Sequence, residues 1–162
     1  MELCNAELMK KVKLLEQAKD DILQEERRIH QVTYQTEEDK FDNGYSFAKT
    51  RKKIDDIDFE VRKYKKLLNH SNATTIVKEF DMTLGECLVY MAQLNNQVYT
   101  LVELSQKEPI TRRSTINGVI EYTALNYDKA ECQAKLQWVQ ETISKLQVAI
   151  DRTNLTNIIE VH

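Results

Sequence analysis

Apolar residues recur every three or four positions along four stretches of the chain. In the first, residues 3–34, Leu8, Val12, Leu15, Ile22 and Ile29 form a stripe interrupted by Lys19 and Glu26. This predicts a long amphipathic helix whose seam is only partly covered. Ile54, Ile57, Val61, Tyr64 and Leu68 predict a second helix over about 48–70. A third begins after Thr83, where Thr83 and Glu86 have capping-box spacing, and runs to Gln106, short of Pro109. The fourth begins at Asp128, with Glu131 in the same relation, and carries Cys132, Leu136, Val139, Ile143, Leu146 and Ile150.

Between the first two stripes lies TEEDKFDNGYS, whose Asn43-Gly44 marks a turn. Between the last two, ITRRSTI and VIEYTAL flank Asn117-Gly118, which predicts a two-stranded hairpin over about 110–124 closed by a type I′ turn. A lone hairpin is marginal in water, so this one must rest on the helices or on a neighbouring chain.

Sliding the chain by half its length places the second stripe on Leu136, Val139, Ile143, Leu146 and Ile150, and SNATTIV (71–77) on TNLTNII (153–159). The shared Asn-x-Thr-x-Ile is not a heptad feature, and it predicts an internal duplication of 1–81 and 82–162 within one domain, 1–162. The fold class expected is mainly α: a four-helix bundle of two duplicated helical hairpins, with short extended tails after helices two and four. Asn72, Thr74, Asn154 and Thr156 are the expected junctions. Each Asn takes a left-handed conformation just past its helix, and the β-branched tails 73–80 and 155–161 pair with each other across a pseudo-twofold axis. Both tails also match the glycosylation acceptor pattern, but helix termination explains them.

With three Gly and one Pro in 162 residues, the chain has few turns to offer, which excludes a many-stranded sandwich or barrel. Its 41% hydrophobic content excludes disorder, and a net charge of -3 predicts no dominant polyanion partner. The opening MELCNAELMKKVKLLEQ is charged from its second residue and has no apolar core, so a cytoplasmic protein is expected, with Cys4, Cys87 and Cys132 as reduced packing residues. No uninterrupted apolar window is long enough for a transmembrane helix.

Charge is uneven: residues 1–81 hold 16 Lys+Arg and 17 Asp+Glu, residues 82–162 only 7 and 9. The third helix is the extreme, charged only at Glu86 and Glu103, and carries two seams. Leu84, Leu88, Met91, Val98 and Val102 lie on one; Cys87, Tyr90, Leu94, Leu101 and Leu104 on the other. One seam faces the core, and the second calls for another partner, with Asn95 and Gln97 fixing register as in a coiled coil. The expected oligomer interface is therefore Tyr90, Leu94, Gln97, Leu101 and Leu104, joined by Arg112 and Arg113 of the hairpin.

Catalytic patterns are missing. His30, His70 and His162 belong to no metal-binding pair, and Glu26 and His30, four apart on one face, read as a solvated ion pair. Three glycines cannot build a phosphate-cradling loop, and no cysteine has a neighbouring base. KTRKK (49–53) and RKYKK (62–66) are separated by Asp55, Asp56, Asp58 and Glu60, which makes a mixed, salt-bridged face and not a nucleic-acid stripe.

LLNHSNATTIV (67–77), IDRTNLTNII (150–159) and the Arg-Arg hairpin segment resemble a family of small bacterial proteins often labelled septicolysin. Leu155 and Asp151 stand where that family's pattern has Trp and Gln. The resemblance implies an all-helical, cytosolic, oligomeric protein without an assigned catalytic residue, and its label implies cytolytic activity. The function expected is a non-enzymatic helical assembly protein that forms a homo-oligomer through its third helix and the 110–124 hairpin. It needs no cofactor, and neither nucleic acid nor membrane is an expected partner. Two alternatives are a membrane-active or pore-forming bundle, with Gln93, Asn95, Asn96 and Gln97 lining a wet lumen, and an intersubunit ligand or metal site drawing on carboxylates of the first helix and Tyr122 or Tyr127.

Overall fold

The computed structural model describes residues 1–39 and 41–161. The protein is mainly α. In chain order the elements are β1 (Glu2–Cys4), α1 (Asn5–Ile29), a single 3-10 turn (Glu37–Asp39), α2 (Phe47–Thr74), β2 (Ile76–Val77), β3 (Met82–Thr83), α3 (Leu84–Gln106), β4 (Ile110–Ser114), β5 (Ile120–Ala124), α4 (Lys129–Thr156) and β6 (Ile158–Glu160). The chain divides into two compact units: Met1–Thr74 with the stretch from Asn154 onward, and Thr75–Thr153.

In the first unit α1 and α2 run antiparallel, and Leu8, Val12, Ile54 and Val61 of their stripes are buried. The two charged residues that break the α1 stripe turn toward α2. Lys19 Nζ meets Asp58 at 2.7 Å, and the Glu26 carboxylate meets Arg51. Glu16 and Lys65 add a third rung at 2.6 Å. These three rungs place six of the charged residues of the first half between α1 and α2. β6 pairs antiparallel with β1, Leu3 opposite Ile159 and Cys4 opposite Ile158, and the Val161 N–H donates to Met1 O at 2.8 Å.

In the second unit Val77, Leu84, Cys87, Leu94, Val139, Leu146, Ala149 and Ile150 make one core, with Phe80, Met82, Tyr90, Met91, Val98, Leu101 and Ile143 against it. Thr83 caps α3 as expected: Glu86 N–H donates to its Oγ1 at 3.2 Å, while the Glu86 carboxylate accepts from the Thr83 N–H at 2.7 Å. Asp128 precedes α4 and accepts from Ala130 N–H at 2.7 Å. β2 pairs with β3, Ile76 opposite Thr83 and Val77 opposite Met82.

The two units carry the same local plan. α2 and α4 are 28 residues each, offset by 82 at both ends. Cys4 and Thr83 both precede a helix whose third residue, Glu7 or Glu86, accepts from the cap N–H. The offset of 82 aligns only the later part of each half, because α1 and α3, starting at Asn5 and Leu84, correspond at an offset of 79.

The expected junctions need correction. Asn72 and Asn154 lie inside the last turns of α2 and α4, which run on to Thr74 and Thr156. Among the described non-glycine residues only Asp81 has positive φ (51°). Threonine hydroxyls in these turns donate back one turn, Thr74 Oγ1 to His70 O at 2.9 Å and Thr153 Oγ1 to Ala149 O at 2.8 Å. Nor do the tails pair with each other. Four residues after β2 suffice to bring β3 alongside, and β6 takes instead the edge of β1, which leads into α1.

The hairpin forms where expected, in the register Ile110 to Ala124, Arg112 to Tyr122 and Ser114 to Ile120. Its turn differs. Gly118 N–H donates to Thr115 O at 2.9 Å, and only Gly118 has positive φ (73°). A type I′ turn needs positive φ at Asn117 as well; here the loop is longer, with Gly118 alone in the left-handed region.

Candidate functional site

The residues assigned to an oligomer interface do not share one surface. Leu94 is 1% exposed in the core of the second unit, and Tyr90 and Leu101 pack against that core. Leu104 is half-buried, whereas Gln97, Arg112 and Arg113 are exposed. The two α3 seams are one broad core face: Leu84, Met91 and Val98 come from one line, Cys87 and Leu94 from the other, all covered by α4 and the β2–β3 turn. What α3 leaves exposed is Leu88, Val89 and Tyr99.

The hairpin is the larger apolar exposure. Every residue of β4 and β5 is exposed. Directly opposed residues share a face of a two-stranded ribbon. Ile110, Ala124, Arg112, Tyr122, Ser114 and Ile120 therefore line one face, and Thr111, Thr123, Arg113 and Glu121 the other. Its base is tied down by Leu125 N–H to Pro109 O at 3.0 Å and by Tyr127 OH to Leu104 O at 2.7 Å.

Of the four junction residues, Asn154 enters a polar cluster that the sequence did not reveal. Asn5, fully buried, donates through Nδ2 to Asn154 Oδ1 at 3.2 Å. Its Oδ1 accepts from Ser71 Oγ at 2.9 Å and from Asn157 Nδ2 at 3.4 Å, and Asn157 also donates to Ser71 Oγ at 2.9 Å. The one available signal was a polar residue three positions before Leu8, on the apolar stripe. Leu84, which follows its N-cap as Asn5 follows Cys4, makes this position apolar in the second unit.

Glu26 and His30 do not form the expected ion pair. The ring Nδ1 of His30 donates to the main-chain oxygens of Glu26 and Arg27 at 3.0 and 3.1 Å. The Glu26 carboxylate instead accepts from Tyr45 OH at 2.7 Å and from Arg51. Asn43 serves the same corner, its Nδ2 donating to Ile29 O at the end of α1 and its Oδ1 accepting from Tyr45 N–H. Sequence spacing could not find this cluster, because Glu26 meets partners 19 and 25 residues away.

The three cysteines are buried and unpaired. Burial pushes the Cys87 thiol up, and the Glu86 carboxylate adds to the shift, the opposite of what a nucleophile needs. His70 is exposed and His162 lies outside the described residues. Among the described residues no group of three His, Cys, Asp or Glu could hold a metal ion, and no helix is long and apolar enough to cross a membrane.

No family model matches the chain, and no curated protein matches it either. Among solved structures it is similar to a functionally unknown conserved protein from Corynebacterium diphtheriae, with a TM-score of 0.70 at 13% identity, covering 99% of this chain and 100% of that one. At that identity the likeness is one of fold.

Proposed function

We propose that the protein is a non-enzymatic helical assembly protein of the cytoplasm, akin to the septicolysin-like proteins, whose subunits meet through the β4–β5 hairpin and the exposed side of α3. The observation that carries this reading is the hairpin itself. A two-stranded ribbon is marginal in water unless something covers it, yet Ile110, Ile120 and Tyr122 stand 67%, 44% and 67% exposed on one face. A second copy presenting the same face would cover all three at once and form an isologous, closed contact. The interface residues are accordingly Ile110, Ile120, Tyr122 and Arg112, with Tyr99 and Gln97 of α3. Leu94 is not among them.

Light scattering on size-fractionated protein tests the proposal. Oligomer is expected at micromolar concentration, and Ile120→Asp and Tyr122→Asp should give monomer with the far-ultraviolet helical signal unchanged. A wild-type particle of 19.0 kDa would overturn it. The cytolytic alternative predicts dye release from anionic liposomes by the wild type, which assembly through the hairpin does not require.

A further inference from the structure

The corner where the end of α1 lies beside the start of α2 holds a second feature that oligomerisation does not explain. A cleft of about 580 Å³ is lined by Glu26, Arg27, His30, Tyr45, Phe47 and Arg51, a volume suited to a small organic ligand. The Glu26 carboxylate is balanced by Arg51 and Tyr45. Arg27 has no side-chain partner among the described residues. Arg51 gives Glu26 one arm of its fork, while its Nε is buried without an acceptor. The wall is thus cationic by one charge beyond Glu26. Phe47 adds an aromatic ring, 66% exposed, with the Arg51 guanidinium carbon 5.4 Å from its centroid.

The other unit shows that the fold does not require this constellation. At the corresponding helix positions stand Ser105 for Glu26, Gln133 for Arg51 and Lys129 for Phe47, and the corresponding Tyr127 donates only to a main-chain oxygen. Ionisable and aromatic groups have gathered in one copy of a duplicated corner. The cost falls there too, since a buried N–H without an acceptor is unfavourable.

We infer that this cleft is a binding site for a small aromatic anion, an aryl carboxylate or aryl phosphate, whose charged group meets Arg27 and the partly exposed Arg51 guanidinium while its ring lies against Phe47. Arginine forks suit both carboxylate and phosphate oxygens, and an aromatic face adds to the affinity of a flat ligand.

The test is titration of the full-length protein with benzoate, phenyl phosphate, cyclohexanecarboxylate and inorganic phosphate, followed by amide shifts. Benzoate or phenyl phosphate should give saturable shifts at Arg27, His30, Tyr45 and Arg51, and cyclohexanecarboxylate and inorganic phosphate should bind more weakly, by on the order of tenfold. Arg27→Ala and Phe47→Ala, at exposed positions that the fold does not need, should each weaken binding by about tenfold with the helical signal unchanged. Absence of saturable shifts up to about 10 mM, equal binding of all four probes, or unaltered binding by both variants would overturn the assignment. The hairpin variants Ile120→Asp and Tyr122→Asp should leave these titrations unchanged, so failure of assembly and failure of the site are separately visible.

Discussion

Removing the Asn5 side chain should be among the most damaging single truncations in the first unit. Asn5 is fully buried and makes three side-chain hydrogen bonds, to Asn154, Ser71 and Asn157. At about 1 kcal/mol net for each, Asn5→Ala should lose about 3 kcal/mol. Ser71→Ala should lose less, about 2 kcal/mol for its bonds with Asn5 and Asn157, because Asn157 Nδ2 keeps Asn5 Oδ1 as an acceptor at 3.4 Å. Asn5→Leu, which copies Leu84 of the second unit, should not rescue the loss, since Asn154, Ser71 and Asn157 remain polar around it. Urea unfolding followed by circular dichroism gives the energies. Hydrogen exchange at the β6 amides gives the location, which should open first in Asn5→Ala. A loss under about 0.5 kcal/mol, or a Ser71→Ala loss equal to that of Asn5→Ala, would refute the reasoning.

Leu94→Glu should unfold the second unit and not merely separate subunits. Burying a carboxylate in place of a leucine adds charge desolvation to the roughly 2–5 kcal/mol that losing the leucine costs; a cooperative melt at the wild-type temperature would contradict this. The carboxylates of Glu7 and Glu86 are held below the ordinary glutamate range by the cap N–H groups of Cys4 and Thr83. Because their folded pKa values are depressed, this stabilisation is present above the unfolded value and fades as the pH falls through the folded one. Exchange at the first amides of α3 should therefore quicken under acid in the wild type, and Glu86→Gln should flatten the response. Finally, the native protein should react slowly with a thiol reagent at neutral pH and release three equivalents after unfolding; a rapid native equivalent would mark a thiol more open than these three are.

Much of the helical plan was legible because it is local. The Val139, Leu146 and Ile150 stripe and the Thr83 to Glu86 cap depend on residues within one or two turns of one another, and a regular period exposes them. What escaped depends on partners set by tertiary register. Lys19 and Glu26 looked like gaps in a seam, because nothing within α1 points to Asp58 or Arg51. β1 and β6 are three residues each, too short for alternation to show, and they pair across more than 150 positions. The two lines on α3 suggest two faces in the sequence, because spacing does not say how wide a core face its neighbours will cover. Asn117-Gly118 located its hairpin correctly, yet the dipeptide alone does not decide between a two-residue loop and a longer one.

The exchange of strands between the two halves has a bearing on synthesis. All of Thr75–Thr153 is contiguous, so its core of α3, α4, β2 and β3 is available to a growing chain as soon as α4 has emerged from the ribosome. The first unit is different: α1 and α2 are made early, but the strand that closes on β1, and the Asn154 and Asn157 that satisfy Asn5, are translated only after the whole of Thr75–Thr153. The α1–α2 hairpin must therefore wait, with a buried-type polar residue and an unpaired strand edge open to other chains, until β6 has been made. For this protein the usual vectorial order is reversed, and the half made first is the half finished last.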